Sequence, residues 1–388
     1  MPQHLPFALP LLGEEEINEV INTLQSGWLT TGPKTAQFET DFAKFIGAKH
    51  ALAVNSATSG LHLALEAIGV GEGDKVITTP YTFTATAEVI RYLGADPILV
   101  DIDPKTFNID PSEIRKIASQ YKDIKAIIPV HFAGQSCDMR AIKEIATENN
   151  WKIIEDAAHA LPTTWQGKMI GTLSDITVYS FYATKTIATG EGGMIVSNND
   201  NYIKRMKVMR LHGISRDAFD RYTSEKPSWF YEVIEPGYKY NMTDIAASLG
   251  IHQLKKAWDF QKRREWMAQQ YDKAFIDLPL QTPYVSHPDD THAWHLYVIQ
   301  LELESLSISR DQFIELMAKE GIGTSVHFIP LHIHPYWRDR YNYKPEDFPV
   351  ALNVFNQAVS LPIYPKMSDS DVTRVISATT KILRTYKK

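Results

Sequence analysis

The run Asp175-Ile176-Thr177-Val178-Tyr179-Ser180-Phe181-Tyr182-Ala183-Thr184-Lys185-Thr186-Ile187-Ala188-Thr189-Gly190-Glu191-Gly192-Gly193 decides how this chain is read. β-Branched and aromatic residues from Ile176 to Phe181 predict a buried strand. Small and hydroxylated residues follow, with Lys185 set among them. Gly190, Gly192 and Gly193 then turn the chain into a second apolar run, Met194-Ile195-Val196. A lysine just past a strand end is either a solvated loop residue or an amine held out of water and aimed. Burial lowers a lysine pKa, and the neutral amine is the form that attacks a carbonyl.

Working outward from that run, the same rhythm repeats. Ala51 to Val54 predicts a short strand, and Asn55-Ser56-Ala57-Thr58-Ser59-Gly60 leads from it into a helix carrying Leu61, Leu63, Leu65 and Ile68. Small residues at a helix start let backbone N–H groups approach an anion, and they also suit an ordinary cap by Ser56 or Thr58. Lys75 to Thr79 predicts the next strand, with Phe83 just beyond it and a helix to about Leu93. Strands are also expected at Pro97 to Val100, Ala126 to Phe132 and Trp151 to Glu155, with a helix from Asp138 to Asn149. The last strand ends in Asp156-Ala157-Ala158-His159. An acid at the end of the strand that carries Ile153-Ile154 is costly to bury unless a cation meets it, although Asp156 could also cap a turn. Alternating strands and helices imply a mostly parallel sheet covered on both faces, and ligands of such sheets bind at strand ends.

The flanks are different. Glu14 to Ser26 has helical apolar spacing and leads into Gly27-Trp28-Leu29-Thr30-Thr31-Gly32-Pro33, a hydroxyl-rich loop with a tryptophan. Beyond Arg210 the pattern loosens through an aromatic loop containing Trp229 and Tyr231. A single amphipathic helix is expected from Asp244 to about Gln269. The remainder reads as a smaller α+β unit. It has strands at His295 to Leu303 and Thr324 to Phe328, and helices at Ser309 to Glu320 and Ser368 to Arg384. The chain therefore divides into a large domain over residues 1–258 and a small one over 259–388.

Composition narrows the function. The balance of 44% hydrophobic and 22% charged residues belongs to an ordinary globular protein, and a formal net charge of −6 argues against nucleic acid and anionic membrane as partners. Cys137 is the only cysteine, which excludes a disulfide framework and favours a reducing compartment. The start lacks a basic segment and apolar run, and no stretch approaches a membrane span, so the cytoplasm is the expected location. Gly69 to Gly73 follows a helix instead of a strand, which removes the dinucleotide fingerprint. Asp101-Ile102-Asp103-Pro104 lacks the glycine and distal glutamate of a calcium loop. His327, His332 and His334 lack helical metal spacing, so no metal is expected.

Placed side by side, the strand-end residues Thr58, Phe83, Asp156, His159, Ser180 and Lys185 offer an anion cradle, an aromatic plate, a carboxylate and an amine. Pyridoxal 5′-phosphate (PLP) would use all four. Its aldehyde needs a lysine, and its ring nitrogen needs a carboxylate to stay protonated.

The whole chain resembles the DegT/DnrJ/StrS sugar-nucleotide aminotransferases, which have the aspartate aminotransferase fold (PLP fold type I). The resemblance is carried by Ser26 to Pro33, Asn55 to Gly60, Glu155 to Ala160, Ser180 to Gly193, Gly237 to Asp244 and His327 to His332. His131-Phe132-Ala133-Gly134 and Gly237-Tyr238-Lys239-Tyr240-Asn241 look closest to members that aminate C4 of a UDP-linked 4-keto sugar. The resemblance implies that Lys185 is the Schiff-base lysine and proton shuttle, with Asp156 on the pyridinium nitrogen and Phe83 stacked on the ring. It places His159 near the ring hydroxyl, and Ala57, Thr58 and Ser180 on the phosphate. Lys239 or Asn241 would reach the phosphate across a homodimer. Trp28, Thr30, His327 and His332 match segments lining the sugar-nucleotide site. Glutamate is the implied amino donor, in two half-reactions. Dehydratases of the same family carry histidine at the lysine position, so Lys185 points to transamination. C3 amination of a dTDP-linked keto sugar and a non-catalytic PLP-binding regulator are the rival readings.

Overall fold

The computed structural model describes residues 4–215 and 230–388, so Trp229 lies outside the described residues. The first strands are β1 (His50–Val54), β2 (Lys75–Thr78), β3 (Asp96–Leu99), β4 (Ile124–Ile127) and β5 (Lys152–Asp156), and all but β4 fall within a residue or two of the predicted apolar runs. A two-residue hairpin, β6 (Thr164–Trp165) and β7 (Lys168–Met169), precedes β8 (Ile176–Ser180) and β9 (Gly193–Ser197). Seven of these strands form one sheet in the order β1-β9-β8-β5-β4-β2-β3. β2, β3, β4, β5 and β8 pair in parallel, whereas β9 runs antiparallel to both of its neighbours. Helices cover both faces, and near-continuous apolar strands such as β8 and β9 are buried along most of their length.

A second sheet, β10 (Leu280–Gln281), β11 (Tyr297–Leu301) and β12 (Ala358–Leu361), packs with the helices Arg310–Lys319 and Asp369–Thr385 around a separate apolar core. The helix Ala257–Phe275 joins the two cores: Ala257 and Phe260 belong to the first, and Met267, Tyr271 and Phe275 to the second.

Several expectations are corrected. The strand expected over Ala126 to Phe132 is β4, which starts earlier and ends at Ile127. Its apolar run continues, but Pro129 has no N–H to extend the ladder, and only an isolated bridge joins Val130 to Asp156. The helix expected from Asp244 to about Gln269 is two, Asp244–Lys255 and Ala257–Phe275, meeting at Lys256. There the Lys256 amide bonds the Gln253 carbonyl, a tighter turn, while its ammonium bonds both Glu15 and the fully buried Glu16. The run Thr324 to Phe328 forms no strand: Ser325 alone bridges Ser360, and Tyr81 Oη takes up the His327 carbonyl.

Candidate active site

The carboxyl ends of β2, β5 and β8 open on a cavity of about 520 Å³. Lys185, Asp156, His159, Ser180, Phe83, Ala57, Thr58 and His327 all line it, from segments spread over the chain. The sheet itself explains this convergence, because parallel strands deliver their following loops to one edge.

Lys185 sits on a closed loop. Phe181 N–H bonds the Gly192 carbonyl at 2.9 Å, Thr189 N–H bonds the Phe181 carbonyl at 2.9 Å, and Lys185 N–H bonds the Tyr182 carbonyl at 2.8 Å. Gly190 takes the left-handed conformation, φ 84°, that lets the loop return. Ile187 and Ala188 anchor it in the core. Lys185 itself is partly buried. Loss of hydration pulls its pKa down to about 8, against the opposing pull of Asp156.

Asp156 is 5% exposed at the end of β5. Its Oδ2 accepts from Thr86 Oγ1 at 2.8 Å and its Oδ1 from the Ala158 N–H at 3.1 Å. Burial pushes its pKa up in spite of these donors and of Lys185. A buried carboxylate with a raised pKa is a group that wants a cation beside it.

The anion cradle is the start of the helix Ala57–Ala67. Ser56 Oγ accepts the Ser59 N–H at 3.1 Å, and Gly60 N–H bonds the Ser56 carbonyl, which leaves the Ala57 and Thr58 amides without an intrahelical partner. Gly193 presses against this turn: a Cβ there would lie 2.8 Å from Ala57 N and from the Ser56 carbonyl carbon. Ser180 pairs with Gly193 across β8 and β9, which brings its side chain to the same turn.

His159 is buried, with the Ala133 N–H donating to its Nδ1 at 3.3 Å. The proton of the neutral ring is therefore on Nε2. Burial, the Lys185 charge and His327 keep His159 well below the usual histidine range. His327 is lowered to about 4 by burial and then by Lys185, and its Nδ1 lies 2.8 Å from Ser360 Oγ.

Other sequence candidates lie elsewhere. His332 is fully buried beside Phe348, its Nε2 3.1 Å from the Pro345 carbonyl, and does not line the cavity. Trp28 Nε1 donates to the Thr31 carbonyl, and the Thr30 carbonyl accepts the Asp244 N–H. Asn241 Nδ2 donates to Thr31 Oγ1 at 2.7 Å, and Lys239 is exposed. Trp28, Thr30, Lys239 and Asn241 thus belong to neighbouring segments that stay off their own chain's cavity. Among the described residues no group of three or more His, Cys, Asp or Glu could hold a metal ion.

Two cavity residues escaped the sequence reading. Thr86 belongs to the hydroxyl-rich Tyr81–Thr86 block, whose repeated threonines were the available signal. The His295 ring lies 4.3 Å from that of His159, tilted by 43°, and has a buried Nδ1 without a protein partner. No local pattern marks it. A larger neighbouring cavity of about 800 Å³ shares Phe83 and Phe328 but holds neither the lysine nor the buried carboxylate.

These residues fit PLP. Free helix amides suit its phosphate, Asp156 lacks a cation, and Lys185 is tuned toward its neutral form. The DegT/DnrJ/EryC1/StrS aminotransferase family matches residues 10–380. The chain belongs to that family. The cofactor of this aminotransferase is PLP. It is 52% identical over 382 residues to the spore coat polysaccharide biosynthesis protein SpsC of Bacillus subtilis, covering 98% of this chain and 97% of that protein. A candidate sugar aminotransferase of Streptococcus pneumoniae, Spr1654, solved in a PMP form, superposes with a TM-score of 0.91 at 32% identity, covering 98% of this chain and 99% of that one. The Helicobacter pylori aminotransferase PseC, involved in the biosynthesis of pseudoaminic acid, gives a TM-score of 0.91 at 29% identity over 99% of this chain and 100% of that one. The fold is accordingly that of the PLP-dependent sugar aminotransferases.

Proposed function

We propose that this aminotransferase moves an amino group from glutamate to C4 of a UDP-linked 4-keto sugar, in two half-reactions at one site. The observation that carries this reading is Lys185 and Asp156 lining one cavity with the helix start at Ala57 and Thr58. PLP bound there supplies an aldehyde that accepts and releases the amino group, and a protonated ring that draws electron density from the reacting carbon. The chain's own residues do the rest. Lys185, low in pKa, takes a proton from the donor carbon and returns one to the sugar carbon. Asp156, held by Thr86 and the Ala158 amide, keeps the ring nitrogen protonated. Ala57, Thr58 and Ser180 bind the phosphate, Phe83 covers the ring, and His159 donates from Nε2 toward the ring hydroxyl. His327 faces the sugar nucleotide.

The working unit is a homodimer. Among the described cavity residues, Lys185 is the only lysine or arginine. A phosphate dianion needs a further cation, and Lys239, exposed and off its own cavity, supplies it to the partner. Asn241 is engaged with Thr31 and orders the Trp28–Thr30 loop beside it. The likeness to a spore coat polysaccharide protein supports a product destined for a polysaccharide. No described helix is long and apolar enough to cross a membrane, in keeping with work in the cytoplasm.

Two measurements test this. The protein, loaded with PLP and treated with borohydride, should carry the label on the peptide containing Lys185. Incubation with glutamate and a panel of nucleotide-linked 3- and 4-keto sugars should give a 4-amino product from the UDP-linked 4-keto sugar. A 3-amino product from a dTDP-linked sugar would replace the substrate assignment. Bound cofactor with no glutamate half-reaction would favour a regulator.

A further inference from the structure

Directly next to Asp156 in β5 stands a second acid, Glu155, that the chemistry above does not use. Alternation along the strand turns it to the opposite face, and it is fully buried. A buried carboxylate persists only where donors meet it. Glu155 has three: Ser174 Oγ at 2.5 Å and Thr177 Oγ1 at 2.8 Å on Oε1, and His131 Nε2 at 2.8 Å on Oε2. His131 is equally buried, and its Nδ1 accepts the Cys137 N–H at 3.1 Å. That bond leaves the ring proton on Nε2, so His131 is the donor and Glu155 the acceptor.

His131 begins the turn that connects Asp156, His159 and the segment around His295. Its own N–H donates to the Asp156 carbonyl at 3.1 Å, and Asp156 N–H donates to the Pro129 carbonyl at 2.9 Å. Two residues on, the Ala133 N–H donates to His159 Nδ1. The Ala133 and Gly134 carbonyls accept the Leu296 and Ala293 amides, on either side of His295. Ala133 holds φ 57°, a left-handed conformation that a residue with a side chain keeps only with outside support, while Gly134 at φ 102° adopts its conformation freely. At Gly134 a Cβ would lie 2.9 Å from the Ala293 Cβ.

We propose that Glu155 and His131 are a buried positioning pair that holds the His131–Gly134 turn against Asp156 and His159, and thereby fixes which nitrogen of His159 donates to the cofactor. Neither side chain touches the cavity. Their effect passes through the His131 amide to the Asp156 backbone and through the Ala133 amide to His159. The hydrogen-bond pattern is what matters, more than the charge: a glutamine at 155 can still accept from His131 Nε2, because the Ser174 and Thr177 hydroxyls can turn to accept from its amide nitrogen.

The test uses the full chain and PLP alone, so it does not depend on which sugar is aminated. Three quantities are read: the PLP dissociation constant, the pH midpoint of the bound cofactor's visible absorbance, and the melting temperature without cofactor. Glu155→Gln should match wild type in all three. Replacing both partners by apolar groups, Glu155→Leu with His131→Leu, removes the buried pair together, but it leaves the Cys137 N–H without its acceptor, so the cofactor-free protein should remain folded and melt below wild type. The same double variant should weaken PLP binding by about tenfold or more, the worth of one hydrogen bond to a charged group, and displace the absorbance midpoint. A folded double variant that binds PLP normally with an unmoved midpoint would overturn the proposal, and so would a displaced midpoint in Glu155→Gln, which would assign the effect to charge. If the double variant fails to fold, His131→Asn decides. It keeps an acceptor for Cys137 and loses the donor to Glu155, and an unmoved midpoint there sinks the pair as well.

Discussion

Lys185 is an unusual lysine because burial and one neighbour pull it in opposite directions. Loss of hydration favours the neutral amine and Asp156 favours the ammonium, and dehydration wins, leaving a pKa of about 8. At pH 7 roughly a tenth of such a group is neutral, against a few in ten thousand for a free lysine. Only the neutral amine can attack an aldehyde, so the rate of PLP capture by cofactor-free protein should climb about tenfold per unit below pH 8 and level off above it. Stopped-flow measurement across pH 6 to 10 reads this directly; a rate still climbing past pH 9 would mean that Lys185 is hydrated. Lys185→Ala should still bind PLP weakly through the phosphate and Asp156, yet lose both half-reactions. The same logic separates Asp156→Ala from Asp156→Glu. The first removes the acceptor for the ring nitrogen and should lose most activity, while the Thr86 hydroxyl can still donate to the Phe83 carbonyl; the second retains a carboxylate and should keep a measurable part of it. Equal turnover for wild type and Asp156→Ala, in the glutamate half-reaction alone, would remove the carboxylate from the chemistry.

Elements constrain the site through backbone contact. β9 approaches the Ser56–Ala57 turn so closely that residue 193 has no room for a side chain. Gly193→Ala must push the Ala57 amide away, because the obstacles are backbone atoms rather than the far end of a flexible side chain. Overpacking of this kind typically costs about 1–3 kcal/mol, and the displaced amide is one that would hold the phosphate. Lower melting temperature together with weaker PLP binding is expected, checked by thermal unfolding and cofactor titration; normal binding would place the phosphate elsewhere. The glycine was visible in the sequence, as were Asp156 after Ile153-Ile154 and Lys185 after the Ile176 run, because each stands at one end of an apolar run. The direction of β9 was not visible: Met194-Ile195-Val196 gives the same apolar signal whether it runs with β8 or against it. Nor was the break at Lys256, since the helical spacing continues through it, and the cause is an ion pair to Glu16 some 240 residues away in sequence. His295 was hidden for a similar reason, as it meets His159 only through the joining of the two cores.

At the scale of the whole molecule, the proposed homodimer requires that a single chain supply an incomplete site. Trp28, Thr30, Lys239 and Asn241 were grouped with the cofactor and sugar residues on motif alone, yet none lines the cavity of its own Lys185: Trp28, Thr30 and Asn241 gather around Thr31 and Asp244, and the Lys239 carbonyl accepts from Asn55 Nδ2. Asp244 is fully buried and accepts from the Gly32, Lys34 and Thr35 amides, so the Trp28 loop and the Lys239 segment are carried as one body. If that body serves the partner's cavity, its defects and those of Lys185 must complement each other. Lys239→Ala and Lys185→Ala are each expected to be impaired alone, the first through weaker phosphate binding and the second through loss of the amine. In a dimer formed from one of each, both defects fall on one site when Lys239 acts across the interface, and the other site is intact. Refolding or co-expressing equal amounts gives half mixed dimers, each with one good site of two, so about a quarter of wild-type activity should return. When Lys239 acts within its own chain, every site in the mixture carries one defect, and mixing restores nothing beyond the mean of the two parents.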